Sequence, residues 1–198
     1  MSEFSIRLLT NEEVRQNIPS IARLRIDIFS EYPYLYQGGF DYESKYLSKF
    51  NDTPDSIIVT LSQDNTVVGA ITGLPLQYED DDVQSPWQKK EGDVASMYYF
   101  SEILLYPRVR GRGYGKRLFQ FAEEAIQELG RYSEFLIATV IREDDHPGRP
   151  ENYSSLEPLW RSLGYEKRDD KVCHISWREI GEESESDKPL VFWRKSIQ

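Results

Sequence analysis

The segment Pro107 to Arg117 reads PRVRGRGYGKR, and it constrains the fold of this chain more than any other stretch. It carries four arginines, one lysine and three glycines. Before it, Val94 to Tyr106 has the aromatic and aliphatic content of a long strand. After it, apolar residues from Tyr114 to Leu129 recur at helical spacing until Gly130, a typical helix terminator. The segment is therefore predicted to be a tight turn between a strand and a helix.

This turn has the properties of a phosphate site. Glycine at every second position, from Gly111 to Gly115, lets backbone N–H groups approach a ligand without obstruction by side chains. The helix that follows adds unsatisfied N–H donors and the positive end of its dipole. The alternative is a glycine-rich turn that only caps the helix, but the basic composition favours ligand binding. Lys116 is followed by Arg117, which excludes the nucleotide-binding loop ending in Gly-Lys-Ser/Thr.

The chain as a whole is acidic. It has 24 Lys and Arg against 34 Asp and Glu, a formal charge of -10, so duplex nucleic acid is not an expected partner. A cationic small substrate would be attracted, although much of this acidity serves solubility. Apolar runs fall far short of the ~20 residues of a membrane span, so no membrane partner is expected either. Met1 to Thr10 lacks the apolar stretch of a secretory signal, and we expect a cytoplasmic protein. With one cysteine, Cys173, and two histidines, no metal site is expected.

Hydrophobic periodicity predicts one mixed α/β domain over residues 1–198. Thr10 and Glu13 are predicted to form a capping box, and Pro19 either ends the first helix or begins a second. The predicted strands are Phe4–Leu9, Ser56–Leu61, Thr66–Leu76, Val94–Tyr106, Glu134–Ile141, Cys173–Ile180 and Leu190–Ser196. The predicted helices are Thr10 to about Ser30, Asp41–Phe50, Tyr114–Leu129 and Ser154–Leu163. The predicted loops are Tyr32–Tyr42, Glu79–Asp93 and Gly181–Lys188.

Here the sequence resembles the GNAT superfamily of N-acetyltransferases. Arg110 to Gly115, three residues after Pro107, matches the family signature of Arg or Gln, two residues, Gly, one residue, and Gly or Ala. An overlapping frame from Arg108 matches the letters with poorer spacing. Leu163-Gly164-Tyr165 looks like the family's Leu-Gly-Phe, and the order of elements agrees over nearly the whole chain. The resemblance implies a single-domain α/β fold with a mixed, largely antiparallel central sheet flanked by helices, and a splay between the fourth and fifth strands.

The resemblance also implies acetyl-CoA as co-substrate, with its pyrophosphate on the turn and its pantetheine arm in the splay. A backbone N–H near Leu104 would polarise the thioester carbonyl, as in an oxyanion hole. The residues implied for acetyl-CoA binding are Ile103, Leu104, Leu105, Arg110, Gly111, Arg112, Gly113, Tyr114, Gly115 and Lys116.

Direct attack on the thioester by a primary amine needs a base, and Glu102 is the best candidate. It shares one face of its strand with Leu104 and Tyr106, close to the expected thioester. The equally weighted alternative is a structural carboxylate paired with an arginine. His146 is a second candidate base. The alternative, which the polar sequence around it favours, is a histidine on a surface turn without a catalytic role.

The acid that protonates the leaving thiolate is a tyrosine in many members of the family, four residues before the Gly of Leu-Gly-Phe. Here that position is Trp160, whose indole is not a proton source near neutral pH. Tyr153, at the start of the predicted helix, is the nearest replacement. The alternative is that Tyr153 only packs against the loop and water protonates the thiolate.

The expected partner is a small-molecule amine acceptor, and the resemblance implies that it binds near Tyr32–Tyr42. The net negative charge of the chain would attract an acceptor that is cationic. The acidic runs Glu79–Asp82 and Glu182–Asp187 would steer such a cation. The alternatives from other classes are a non-catalytic CoA-binding regulatory module and a protein- or peptide-directed acetyltransferase. The acceptor, the acyl length and the oligomeric state stay open at this stage, and a homodimer is compatible with the prediction.

Overall fold

The computed structural model describes residues 3–88 and 93–197. The helices are α1 Asn11–Phe29, α2 Phe40–Asp52, α3 Asp81–Gln88, α4 Tyr114–Gln127 and α5 Glu157–Ser162. The strands are β1 Phe4–Leu8, β2 Ile57–Gln63, β3 Thr66–Pro75, β4 Met97–Leu105, β5 Glu134–Val140, β6 Glu166–Trp177 and β7 Ser186–Ser196. They form one sheet in the order β1-β2-β3-β4-β5-β7-β6. This is the mixed, largely antiparallel sheet that the sequence predicts.

Among the described strands, β4 and β5 form the one parallel pair, and the pairing is short. It runs from Met97 opposite Glu134 to Tyr99 opposite Leu136 and stops there. Beyond Tyr99, β4 stays paired with β3, while β5 stays paired with β7. The edge of β4 that faces β5 is therefore open from Phe100 to Leu105, and the predicted splay is confirmed.

Helices cover both faces of the sheet. On one face, α4 buries Leu118, Phe119, Ala122 and Ile126 against the aromatic residues of β4 and β5. On the other face, α1 buries Ile21, Ala22 and Leu24, and α2 adds Leu47 and Phe50. Leu104 belongs to the α1 side, whereas Ile103 and Leu105 pack on the α4 side. The alternation predicted for this half of β4 is thus confirmed.

A β-bulge in the middle of β4 changes which side chains share a face. Thr72 lies opposite Glu102, but the next residue, Gly73, lies opposite Phe100, so Ser101 is the extra residue. A bulge of this kind shifts the alternation of side chains along the strand. As a result Tyr99, Ser101 and Glu102 all line one pocket, while Phe100 points into the core under α4.

The loop expected at Glu79–Asp93 is wrong over most of its length, because α3 occupies Asp81–Gln88. Val83 and Trp87, one helical turn apart, are buried against β6 and β7. Asp81 and Asp82 lie in the first turn, where acidic side chains favour the helix dipole. The helix was not predicted because the segment is acidic and only these two apolar residues mark its buried face. The part of the expected loop at residues 89–92 lies outside the described residues.

Neither of the two roles expected for Pro19 is correct, because α1 runs through it without interruption. An interior proline costs about 3 kcal/mol. Ile21 and Leu24 are fully buried, and each contributes about 1.5–3 kcal/mol, so the packing offsets that cost. The predicted capping box of Thr10 and Glu13 is confirmed. No helix in the described part of the chain is long and apolar enough to cross a membrane.

The helix expected at Ser154–Leu163 begins later, at Glu157. Pro158 explains the difference, since a proline is tolerated in the first turn of a helix but not in its second. The strand expected at Cys173–Ile180 begins earlier, at Glu166, and ends earlier, at Trp177. The loop expected at Gly181–Lys188 is shifted by the same three residues, because β7 begins at Ser186 and forms a hairpin with β6.

Candidate active site

The glycine turn has the backbone conformation that requires glycine. Gly111 and Gly113 have φ values of 72° and 79°, in the left-handed region that favours this residue. A Cβ atom built on either would meet no atom of the described residues within 4 Å, so among these residues the space above the turn is open. Gly113 is also the N-cap of α4 and supplies no side-chain cap, which leaves the first N–H groups of the helix available to an anion.

Two signature residues have packing roles that the sequence did not predict. The guanidinium of Arg110 donates from Nε to the carbonyl oxygen of Leu105 at 2.8 Å and from an Nη atom to Glu31 at 2.7 Å. These bonds hold the turn to the end of β4 and to the segment after α1. A Cβ atom on Gly115 would lie 3.2 Å from Leu105 Cδ1, so glycine permits the close approach of α4 to β4.

Along the open edge of β4, the backbone N–H and C=O groups of successive residues point to opposite sides of the strand. The N–H of Tyr106 donates to the Val68 carbonyl on the β3 side. Successive residues of a strand point their N–H groups to opposite neighbours, so the N–H of Leu104 also faces β3. The groups that face the splay are therefore those of Ile103 and Leu105. The N–H expected near Leu104 is better supplied by one of these two residues.

Glu102 is one arm of a buried charge cluster. Its Oε2 accepts a hydrogen bond from the guanidinium of Arg25 on α1, which also donates to Glu43 on α2. Only 9% of the Arg25 side chain and 3% of the Glu102 side chain are exposed. Burial of charges at this depth requires such pairing. The arginine partner that the alternative interpretation expected is thus present. Glu102 Oε1, however, is buried and has no hydrogen-bond partner among the described residues.

Glu102 lines a pocket of about 220 Å³ between α1, the segment after it, the start of α3 and the open half of β4. Seven aromatic side chains form most of its wall: Phe29, Tyr34, Tyr36, Tyr42, Tyr46, Tyr99 and Trp177. Tyr34, Tyr36 and Tyr42 come from the tyrosine-rich segment expected to cover the acceptor. Its last three residues are helical and not part of a loop, because α2 begins at Phe40. Trp177 Nε1 donates to the Tyr34 carbonyl at 3.0 Å, and Arg142 donates to the Pro33 carbonyl at 2.7 Å. These bonds fix the loop over the pocket.

The buried phenols of the wall are neutral at pH 7. Burial raises the pKa of Tyr34 to about 12, and it raises the pKa of Tyr99 well above its ordinary value. Negative charge in the pocket therefore comes from carboxylates. Glu79 is buried; it accepts from Ser101 Oγ at 3.0 Å and pairs with Lys49 Nζ at 3.1 Å. This finding corrects the solvated-loop expectation for Glu79.

The predicted acid and the second predicted base lie elsewhere, around Tyr32. Tyr153 is in the loop before α5, not at a helix start, and its ring packs edge-on against Tyr32 with centroids 4.6 Å apart. Burial, with the neighbouring Tyr32, raises the pKa of Tyr153. His146 contacts the same ring at 5.6 Å and accepts from the Gly148 N–H at 3.0 Å. Neither residue lines the pocket of Glu102.

Trp160 packs in the core. Its ring lies 5.3 Å from that of Phe119 beneath α4.

Arg25 is the site residue that sequence reasoning missed. A detectable signal was present, since a charged residue on the buried stripe that contains Ile21 and Leu24 needs a buried partner.

Comparison with protein families gives a match of residues 21–149 to the model of the acetyltransferase (GNAT) family. The chain belongs to this family. The matched range includes Arg25, Glu102 and the glycine turn, and it ends before Tyr153. Acetyl-CoA is the co-substrate of the GNAT family. A search of curated proteins found no relative.

Solved structures similar to this GNAT protein cover its whole length. A ribosomal-protein-alanine N-acetyltransferase from Brucella melitensis has 15% identity and a TM-score of 0.65, covering 98% of this chain and 99% of that chain. An N-acetyltransferase from Staphylococcus aureus Mu50 has 13% identity and a TM-score of 0.64, with full coverage of both chains. The yncA protein from Salmonella typhimurium, solved with acetyl-CoA, has 10% identity and a TM-score of 0.62, covering 100% of this chain and 95% of that chain. At these identities the similarity concerns the fold.

Proposed function

We propose that this protein transfers an acetyl group from acetyl-CoA to a primary amine of a small molecule. One observation carries the proposal: the open edge of β4 connects two different sites. At its carboxyl end lies the glycine turn with free space above it, and at its bulge lies Glu102 in an aromatic pocket. A donor held along this edge therefore has its reactive end beside an acceptor in the pocket.

The residues of the turn fit the phosphates of acetyl-CoA. The N–H groups from Gly111 to Lys116 bind the pyrophosphate, helped by the side chains of the basic segment. Ile103 and Leu105 present backbone groups to the pantetheine arm, which adds to the strand edge as a peptide would. The Leu105 carbonyl is already taken by Arg110, so Ile103 and the Leu105 N–H carry this pairing. When bound, acetyl-CoA supplies an acetyl group activated as a thioester.

Glu102 accepts the proton of the attacking amine on Oε1. As the new C–N bond forms, the C–S bond breaks, and the thiolate takes a proton from Tyr153 or from water. The N–H of Ile103, next to Glu102 on the open edge, polarises the thioester carbonyl. Holding amine and thioester in contact provides much of the rate enhancement. The small, walled pocket favours a small amine over a protein terminus.

The decisive experiment follows thiol release from acetyl-CoA with the purified protein and a panel of acceptors. The panel contains polyamines, aminoglycosides, amino acids and peptides. Acceptor-dependent thiol release, with acetylated amine identified by mass spectrometry, is the expected result. Acetyl-CoA binding in calorimetry without release for any acceptor would favour a non-catalytic CoA-binding module. Release only with peptides would favour a protein-directed enzyme.

A further inference from the structure

Carboxylates outnumber cations in and around the aromatic pocket. The cations are Arg25 in the wall and Lys49 behind Glu79. The carboxylates that line the pocket or pair with these cations are Glu43, Glu79, Asp80, Asp82 and Glu102. Counting only the described residues that line the pocket or pair with those that do, five negative charges face two positive charges, an excess of three. The pocket is a more favourable site for cations than for anions.

The carboxylates lie at two levels. Glu102 is deep in the pocket, where its Oε1 has no hydrogen-bond partner among the described residues. Asp80 and Asp82 are exposed and line the mouth, at the start of α3. Within the described ranges, neither aspartate forms a salt bridge with a Lys or Arg side chain, although Asp80 lies close enough to Lys49 to interact with its charge. Ser101, next to Glu102 in the bulge, bonds to Glu79, which immediately precedes Asp80. The deep carboxylate and the carboxylates at the mouth are therefore connected through β4 and the segment that contains Glu79 and Asp80.

We propose that this pocket binds an aliphatic diamine, with one amine at Glu102 Oε1 and the second, as an ammonium, between Asp80 and Asp82. That the diamine is also the acetyl acceptor rests on the proposed function. The aromatic wall between the two levels suits a chain of methylene groups, and its ring faces attract a cation. Because the buried phenols are neutral, the carboxylates are the negatively charged groups that attract the ammonium of the diamine. An acceptor that carries a carboxylate in place of the second amine would meet repulsion at the mouth.

The test compares three probes that differ only at the far end: 1,4-diaminobutane, butylamine and 4-aminobutanoate. Each is assayed by thiol release with acetyl-CoA, and the diamine is also titrated by calorimetry in the presence of CoA. The variant Asp80→Asn/Asp82→Asn removes both charges at the mouth. Asp81→Asn is the matched control, because Asp81 lies between them in the first turn of α3 but does not line the pocket.

The wild-type protein is expected to use the diamine with a kcat/KM about 10-fold above that of butylamine, since each exposed carboxylate contributes a factor of about 1.4 to 5. 4-Aminobutanoate should be the poorest of the three probes. In the double variant the ratio of diamine to butylamine should fall to near 1, whereas Asp81→Asn should keep it. The wild-type ratio should also decrease as salt is added, because the charges at the mouth are exposed.

The outcomes separate this proposal from the proposed function. Equal kcat/KM values for butylamine and the diamine would overturn the diamine proposal and leave amine acetylation standing. Diamine binding that is weakened only by the double variant, without thiol release, would support the binding site and overturn the transfer reaction. A ratio reduced equally by Asp81→Asn would also overturn the proposal, because it would show an effect of overall charge.

Discussion

Replacing Glu102 with glutamine tests the chemistry of the pocket most directly. Glutamine keeps an oxygen that accepts from Arg25, so the geometry of the cluster is retained while the charge and the basicity are lost. A positioned base typically contributes ~10² or more to the rate, which corresponds to about 2.7 kcal/mol of barrier. We expect kcat to fall by this factor, with acetyl-CoA affinity almost unchanged.

The same substitution also affects stability, and the structure offers a control for this effect. Removing one partner of a buried ion pair costs about 3–5 kcal/mol. Arg25 retains its second carboxylate, so the lower end of this range applies, which means about 6–12 °C in Tm. Glu43→Gln removes the other carboxylate from the same guanidinium, and Glu43 does not line the pocket. Both variants should therefore lose similar stability, and only Glu102→Gln should lose the larger part of kcat.

The assay is thiol release over a range of pH with the best acceptor of the panel, after thermal unfolding has shown both variants to be folded at the assay temperature. We expect the activity of the wild type to fall at low pH, where a carboxylate base takes up a proton, and Glu102→Gln should lose this acidic limb. An unchanged pH profile, or equal losses of kcat in the two variants, would show that Glu102 is structural and that another group or water removes the proton.

Three further predictions concern the turn, the acid and the free cysteine. Gly113 and Gly130 both have left-handed φ and open space, so Gly113→Glu and Gly130→Glu should each cost about 1–2 kcal/mol. Only Gly113→Glu should weaken acetyl-CoA binding in calorimetry, by about 10-fold or more. Tyr153→Phe should lower kcat without changing acetyl-CoA affinity, and because burial raises the pKa of Tyr153 its phenol should keep its proton at neutral and mildly alkaline pH; wild-type kcat would leave water as the acid. Burial raises the pKa of Cys173 to about 12, so its thiol stays protonated at pH 8 and should react with alkylating reagents only after unfolding.

The fold around the donor site could be predicted because its determinants are local. The strand, the turn and α4 follow one another in sequence, and the glycines report a left-handed backbone that hardly any other residue adopts. The open edge of β4 was reachable only through the family resemblance. No local pattern distinguishes a strand that loses its neighbour after three residues from one that keeps it.

The acceptor pocket was less predictable because distant residues build it. Arg25 and Glu102 are separated by 77 positions, and only the packing of α1 on β4 brings them together. The bulge at Ser101 has no marker in the sequence, yet it places Glu102 in the pocket. For α3, the expectation of a solvated loop followed the acidic composition and missed that Trp87 needs a buried surface.

The two interpretations of Glu102, base and structural carboxylate, are compatible because a carboxylate has two oxygens. Oε2 is held by Arg25, which fixes the side chain against α1, and Oε1 stays without a partner in the described residues. A base needs a fixed position as much as it needs basicity. Arg25 is therefore a positioning residue for the proposed reaction. An entering cation is repelled by this guanidinium, and the carboxylates at the mouth offset that repulsion. In the proposed reaction, the acidic start of α3 thus attracts the cationic acceptor, while the buried arginine of α1 positions the carboxylate that takes its proton.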